Sequence, residues 1–369
     1  MPIPYRRLLP LLTLLFSARA GLAQTINTDA VTAYWKITEA LRRNEPLTET
    51  TWQQFLALPA NQIYTASIYD ADALARYRQA MEVVYMPRYD SLRQAKVKAG
   101  SWFYVLLDNL KRQEPAYRTF TSETVRSPAF LESMYTYAYE YLPARAHVKH
   151  PDLHLYYTAL GDDATSQQAG IVFSLYDAYS YQSVRPGILE AHELHHQLLG
   201  YALTPTENLT RPAPPGDEGL LYLLRMSLIE GLADLTDKRV QLTASSDSAD
   251  IRRRYVQPAP AVIHRLDSTI RVQAAGGPAT PLTFYRRLTN GSNGHLPGFY
   301  LAYTILRNGY LKPMLDHADD PIAFALLYQK AARKDKYHQH PPLFSTISMR
   351  YFKQLDRKYA KPRPAASKP

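Results

Sequence analysis

The chain has 369 residues, a formal charge of +10 from 43 lysines and arginines against 33 acidic residues, and no cysteine. A chain of this length can fold as one large or two ordinary domains. Its 15 glycines and 27 prolines follow no repeat, which excludes collagen-like, low-complexity and coiled-coil classes. Without cysteine there can be no disulfide, thiol catalysis, thiolate zinc site or iron–sulfur cluster, so any metal must be held by histidines and carboxylates.

Residues 1–23 have the layout of a secretory signal peptide. Two arginines precede an apolar run over residues 8–16, and small residues lead to Ala23. The run is about half of the ~20 apolar residues that span a bilayer, and no later segment is long and apolar enough. We therefore expect cleavage near Ala23, a secreted or periplasmic protein, and no transmembrane segment in the mature chain.

The region before residue 147 is predicted to be helical. Asp29 can cap a helix, and Ser127 followed by Pro128 is typical of a helix start. Tyrosines are frequent here, and we interpret them as amphipathic packing with hydroxyls near water; an aromatic glycan-binding surface is the alternative. Residues 24–146 are therefore predicted to form an N-terminal helical region.

The sequence changes character at residue 147. Residues 153–158 and 171–176 are β-branched and aromatic runs that predict two strands. Helices are predicted over residues 188–199 and 217–240. The pattern indicates a mainly α protein with a small β-sheet, of the α+β class, made of a core at residues 147–240, a C-terminal helical subdomain at residues 241–357 and a basic disordered tail at residues 358–369.

The first core helix contains His192, Glu193 and His196 in an HExxH pattern. Residues four apart lie on one face of a helix, so both imidazoles can bind one metal ion. Glu193 lies beside that face, close enough to take a proton from an activated water without being a ligand. An ordinary polar helix face is the alternative. His195 fits neither ligand position and is predicted to make a neighbouring polar contact.

A catalytic zinc ion needs a third protein ligand and an open coordination position. Among the glutamates after His196, Glu230 stands in the middle of an apolar helix, where an unpaired carboxylate is costly. The small Gly231 beside it is expected to let this helix approach the HExxH helix. Asp234 lies on the same face and can accept a hydrogen bond from the far nitrogen of a ligating histidine. We therefore predict Glu230 as the third ligand of one zinc ion per chain, with a solvated or helix-pairing acid as the alternative.

The residues His192, Glu193, His196, Glu230 and Asp234 resemble the gluzincin branch of zinc metallopeptidases, the thermolysin-like group with an HExxH helix and a later ExxxD helix. The order of strand, HExxH, EGxAD and Gly-Tyr segments in the middle of the chain is similar to a family of secreted bacterial zinc-dependent peptidases. The resemblance implies a thermolysin-like zincin core in which the two helices pack together, flanked by N- and C-terminal helical regions.

The resemblance also implies a hydrolase that cleaves peptides or proteins. Zinc held by the two histidines and Glu230 would activate a water molecule, with Glu193 as general base. In gluzincins a tyrosine or histidine from the C-terminal helical part stabilises the oxyanion. The candidates for that role are His295 and Tyr300, where a glycine-rich loop enters a predicted helix.

The second predicted strand is the candidate for binding substrate. An extended peptide can add to the edge of a sheet through main-chain hydrogen bonds. The residues expected to take part are Ile171, Val172, Phe173 and Ser174. A plain sheet strand is the alternative.

Two other functions fit the sequence. One is a non-catalytic exported binding protein with a structural metal site, which Glu193 argues against because such a site needs no base. The other is a zinc hydrolase with a non-peptide acyl substrate, since HExxH determines the water chemistry and not the acyl group. The sequence has no zinc finger or other nucleic-acid-binding module, so no nucleic acid partner is expected, and it carries no signal for an oligomeric state.

Overall fold

A computed structural model describes residue 24 and residues 26–202, 215–244, 248–289, 291–337 and 340–359. The predicted signal peptide at residues 1–23 and residues 360–369 of the predicted tail lie outside these described residues. Within them the protein is mainly helical with one small sheet, which confirms the α+β prediction.

Between residues 29 and 139 the chain forms a series of helices, as predicted. Local side-chain caps start several of them: Asp70 accepts a hydrogen bond from the backbone amide of Ala73, and Ser127 accepts one from that of Phe130. The helices are α1 (Asp29–Arg42), α2 (Glu49–Leu56), α3 (Pro59–Ile68), α4 (Ala71–Tyr85), α5 (Asp90–Lys98), α6 (Trp102–Arg112), α7 (Glu114–Thr119) and α8 (Pro128–Tyr139).

Within the described residues one mixed sheet is formed by β1 (Ile26–Asn27), β2 (Leu155–Thr158), β3 (Ala164–Gln167) and β4 (Gly170–Ser174). Its order is β1-β2-β4-β3, with β3 antiparallel to β4 and the other pairs parallel. The sequence predicted β2 and β4 but missed β1, which is only two residues long, and β3, which is polar.

The prediction that Ile171, Val172, Phe173 and Ser174 bind an extended substrate is wrong. The backbone of β4 pairs with β2 on one edge and β3 on the other, and all four residues are buried. No edge of β4 is therefore left for another chain. Among the described strands, β3 is the outermost on this side of the sheet.

The remaining helices form the second half of the protein, and the predicted helices over residues 188–199 and 217–240 are confirmed with longer bounds. They are α9 (Leu175–Ser180), α10 (Ile188–Ala202), α11 (Pro215–Ala244), α12 (Ser248–Ile251), α13 (Ala259–Ala274), α14 (Leu282–Leu288), α15 (His295–Arg307), α16 (Leu311–Asp316), α17 (Pro321–Arg333) and α18 (Thr346–Tyr359). Among the described helices, none is long and apolar enough to cross a membrane.

Helix α11 lies at the centre of this half. It has 30 residues, about 45 Å of helix, and packs against α10, α14, α15 and α17. Residues 230–238 are buried without interruption, as expected for a helix segment surrounded by protein. The polar residues that it does carry inside must therefore find partners on its neighbours.

Helices α11 and α15 cross at two glycines. A Cβ atom on Gly231 would lie 2.5 Å from the carbonyl oxygen of Gly298, and one on Gly298 would collide with the carbonyl oxygen of Ser227. Only residues without a side chain permit this approach of two backbones. Gly231, which the sequence places toward the HExxH helix, faces α15 instead.

We predict that Gly298→Ala lowers the free energy of unfolding by about 1–3 kcal/mol, because the added methyl group meets rigid backbone. Urea unfolding measures the effect. The matched control is Gly200→Ala in α10, which is exposed and where a Cβ atom would meet no other described atom within 4 Å. That change should raise helix stability by up to about 1 kcal/mol. A Gly298→Ala protein as stable as the wild type would contradict the proposed constraint.

The C-terminal helix holds the first turn of α11. Asp217 accepts hydrogen bonds from the hydroxyl of Tyr351 at 2.8 Å, the ammonium of Lys358 at 2.6 Å and the hydroxyl of Tyr359 at 2.8 Å. Burial on its own raises the pKa of Asp217, but these bonds outweigh it and lower the pKa. Lys358 and Tyr359 were predicted to be part of a disordered tail, which is wrong because both belong to α18 and contact Asp217.

We predict that Asp217→Asn costs about 1.5–3 kcal/mol of stability at neutral pH, because it removes charge-assisted hydrogen bonds. The folded-state pKa lies below the usual carboxyl value, so this stability is present above the usual value and is lost as the pH falls through the lowered one. Urea unfolding at neutral and acidic pH measures it.

Asp72→Asn is the control, since Asp72 is also in a first helical turn but is exposed. Asp72→Asn should lower the free energy of unfolding by about 0.3–1 kcal/mol at most. An Asp217→Asn effect that is the same at both pH values would contradict the assignment.

Candidate metal centre

Three donor atoms converge between α10 and α11. Nε2 of His192 and Nε2 of His196 are 3.2 Å apart, and Oε2 of Glu230 lies 3.3 Å from the second nitrogen and 3.9 Å from the first. Two ligand atoms on a tetrahedral zinc ion are about 3.3 Å apart, because each bond is about 2.0–2.1 Å long. Two of the three distances match this spacing, and the distance between Nε2 of His192 and Oε2 of Glu230 is longer, so a small movement of Glu230 would bring all three atoms to one zinc ion.

The polar residues of α10 divide between two faces of the helix. Glu190 faces the sheet, where the hydroxyl of Tyr157 donates to its carboxyl group, and burial raises the pKa of Glu190 to about 7. Nε2 of His195 makes a hydrogen bond at 3.1 Å to the carbonyl oxygen of Tyr141, which is the polar contact predicted for it. Burial and then the neighbouring His196 lower the pKa of His195 to about 3. Neither Glu190 nor His195 contributes to the donor triangle.

The carboxylate of Glu230 has the electrostatics of a cation ligand. Burial on its own raises its pKa, but His196 and the other surrounding imidazoles hold it at about 2. Conversely, burial lowers the pKa of His196, but Glu230 outweighs this and raises it to about 9. Oε2 of Glu230 is buried and lies 3.3 Å from Nε2 of His196 and 3.3 Å from Nδ1 of His295, with no well-aligned hydrogen bond among the described residues. A buried anionic oxygen next to two ring nitrogens fits a divalent cation, so the residues present suit zinc.

Glu193 is half-buried and lies three residues, about one helical turn, before His196. It lies near enough to this imidazole for its negative charge to contribute to the raised pKa of His196. It is not one of the converging donors, so its carboxylate stays available for proton transfer, as the HExxH pattern predicts.

The far nitrogen of His192 is held by a residue that the sequence analysis missed. Nδ1 of His192 lies 3.0 Å from Oδ1 of Asp237 and 3.7 Å from Oδ1 of Asp234, which was the predicted partner. Asp237 follows Glu230 by seven positions, two helical turns, and so lies on the same face of α11. The seven-residue spacing from Glu230 could therefore have identified Asp237 from the sequence.

Asp234 contacts a different histidine. Nδ1 of His295, the first residue of α15, lies 2.9 Å and 3.1 Å from the two carboxylate oxygens of Asp234 and 3.3 Å from Oε2 of Glu230. Ligand-capable atoms of His192, Glu230, Asp234 and His295 all lie within 4.8 Å of one another. The structure therefore places His295 inside the cluster, with its side chain 28% exposed.

Tyr300 does not share this position. Five residues along a helix correspond to a rotation of about 140°, so Tyr300 lies on another face of α15 than His295. Its ring packs near that of Tyr328, with centroids 6.5 Å apart, and burial raises its pKa. The two sequence candidates for the oxyanion donor are thus separated, and only His295 joins the cluster.

A buried lysine completes the cluster and was also missed. The ammonium of Lys238 donates to Asp234 and lies 3.6 Å from Oδ2 of Asp237. Burial on its own lowers the pKa of Lys238, but the two carboxylates outweigh it and raise the pKa well above its usual value. Lys238 is therefore a permanent cation beside the donor triangle.

Comparison with known proteins adds one finding. The sequence model of the family described as "Putative zinc dependent peptidase (DUF5700)" matches residues 52–337, most of the chain, and this span includes every residue of the cluster. No curated protein and no solved structure matches the chain. On the strength of that match, the chain belongs to this family.

Proposed function

We propose that the protein is an exported zinc-dependent peptidase of the gluzincin type, with one zinc ion per chain on His192, His196 and Glu230. The observation that carries the proposal is the triangle of donor atoms with zinc-ligand spacing around a buried carboxylate oxygen. The family supports zinc dependence and peptide substrates. A glutamate ligand from a second helix packed on the HExxH helix supports a thermolysin-like core.

When bound, zinc would supply a Lewis acid that polarises a carbonyl group and makes a water molecule more acidic. Glu193 accepts the proton of that water and returns it to the leaving amine. Its position beside His196, outside the donor triangle, supports this role.

Two carboxylates orient the imidazoles. Asp237 accepts the Nδ1 proton of His192, which leaves the Nε2 lone pair facing the donor triangle. Burial on its own lowers the pKa of His295, but Asp234 outweighs it and raises the pKa, which favours the imidazolium form. In that form Nδ1 donates to Asp234 and Nε2 can donate to the substrate oxygen as negative charge develops. Tyr300 has no part in this proposal.

The edge strand β3 is the proposed substrate-binding strand in place of β4. Nε2 of Gln197, which follows His196 in α10, donates to Oγ of Ser166 at 2.6 Å and to the carbonyl oxygen of Gln167 at 3.1 Å. These bonds tie β3 to the helix that carries both histidines. An extended peptide added to its outer edge would run beside that helix.

We expect Glu193→Gln to keep bound zinc but to lower kcat/KM on peptides by about 10²–10⁴-fold, the usual contribution of a general base. Zinc content and peptide turnover are measured on the same preparation. The control is Glu218→Gln, an exposed glutamate in the first turn of α11, which should change neither quantity.

Glu230→Gln should instead weaken zinc binding. The loss of affinity should exceed the ~10–100-fold that is typical of residues that only support a ligand. Unchanged turnover in Glu193→Gln would reject the base assignment. A wild-type protein that holds zinc but cleaves no peptide would favour a non-catalytic binding protein or a hydrolase with another acyl substrate.

We also propose that residues 1–23 direct export, on their basic, apolar and small-residue order. N-terminal sequencing of the exported protein should start at Gln24. Ala23→Phe should block cleavage, because signal peptidases require a small residue at this position. An exported wild-type protein that still begins with Met1 would contradict the proposal.

A further inference from the structure

Lys238 is enclosed by groups from three parts of the chain. On α11 its ammonium contacts Asp234 and Asp237, four residues and one residue before it. The ring of Tyr255, from the π-helical segment Arg252–Val256, has its centre 5.3 Å from Nζ. Tyr181, from the short helical segment Tyr181–Ser183 before α10, is also close enough to affect its pKa. Together these carboxylates and aromatic rings surround one buried cation.

Each carboxylate that Lys238 contacts holds a different imidazole. Asp237 bonds Nδ1 of His192 at 3.0 Å, and Asp234 bonds Nδ1 of His295 at 2.9 Å. One ammonium is therefore linked through two carboxylates to both histidines. A buried carboxylate without a counter-ion would have to move or take up a proton, and either change would release its imidazole.

We infer that Lys238 is a positioning residue of this site: its ammonium fixes Asp234 and Asp237, and through them orients His192 for the metal and His295 for the substrate. The inference rests on the proposed function, since it assigns a role toward the same zinc ion. It adds a residue that neither the HExxH pattern nor the glutamate ligand implies.

Whether loss of the ammonium weakens or tightens zinc binding distinguishes a positioning role from a purely electrostatic one. A nearby ammonium repels a divalent cation, so an electrostatic role alone predicts tighter zinc binding when the charge is removed. A positioning role predicts weaker binding, because His192 loses its fixed orientation. The two interpretations therefore give opposite results for one variant.

The experiment compares Lys238→Met with Lys238→Arg in the full-length protein, using zinc alone as the probe in competition with a coloured chelator. We expect the zinc dissociation constant of Lys238→Met to rise about 10–100-fold, the range seen when support of a ligating histidine is lost. Lys238→Arg keeps the charge and its donors and should bind within about threefold of the wild type. At saturating zinc, kcat of Lys238→Met should fall more than KM changes, because His295 acts on the reacting oxygen.

Lys111→Met is the matched control. Lys111 is half-buried, donates to the carbonyl oxygen of Val84 and lies 5.9 Å from the ring centre of Tyr85, far from the cluster in sequence. It should leave zinc binding and kcat unchanged. If Lys238→Met does not fold, Lys238→Met/Asp234→Asn removes one charge of each sign. Positioning still predicts weaker zinc binding in this double variant, whereas a charge effect alone predicts no change.

Unchanged or tighter zinc binding in Lys238→Met would overturn the inference, and so would an equal loss of zinc affinity in Lys238→Arg. The proposed function would still stand if the wild type binds zinc and Glu193→Gln loses turnover. A wild-type protein that binds no zinc would overturn the proposed function and this inference with it.

Discussion

The close crossing of α11 and α15 is the constraint on which the site depends. Gly231 and Gly298 let the two backbones touch, and no side chain larger than hydrogen fits at either position. Glu230 precedes the first glycine, and His295 lies one turn before the second. The same contact that joins the helices therefore brings His295 to Asp234 and Glu230.

Three carboxylates on one buried face of α11 are the second determinant of the site. Glu230, Asp234 and Asp237 would be strongly unfavourable in an otherwise apolar helix without cations around them. Lys238 supplies one positive charge, and the imidazoles of α10 and α15 supply hydrogen bonds. Oε2 of Glu230 lies beside the two histidines of α10, where a divalent ion fits.

The fold was predicted correctly where interactions between residues close in sequence specify it, and less well where contacts between distant residues do. Helices such as α8 are specified by local signals, a serine cap and a proline in the first turn, and were predicted correctly. The two-residue β1 and the polar β3 exist only because β2 and β4 pair with them, so no local signal could reveal them. The same reason explains the error over β4, whose hydrophobic residues indicated a strand but not which edge was free.

By itself the sequence determined that His192 and His196 share a helix face, that Glu193 lies beside them, and that Glu230 needs a partner inside an apolar helix, because these facts follow from the helical period and from the cost of burying charge. Which carboxylate meets which imidazole was decided only in the tertiary structure. Asp237 rather than Asp234 lies nearest to Nδ1 of His192, and Asp234 contacts His295 instead. These pairings depend on the distance and rotation between neighbouring helices, which are set by contacts between residues far apart in the chain.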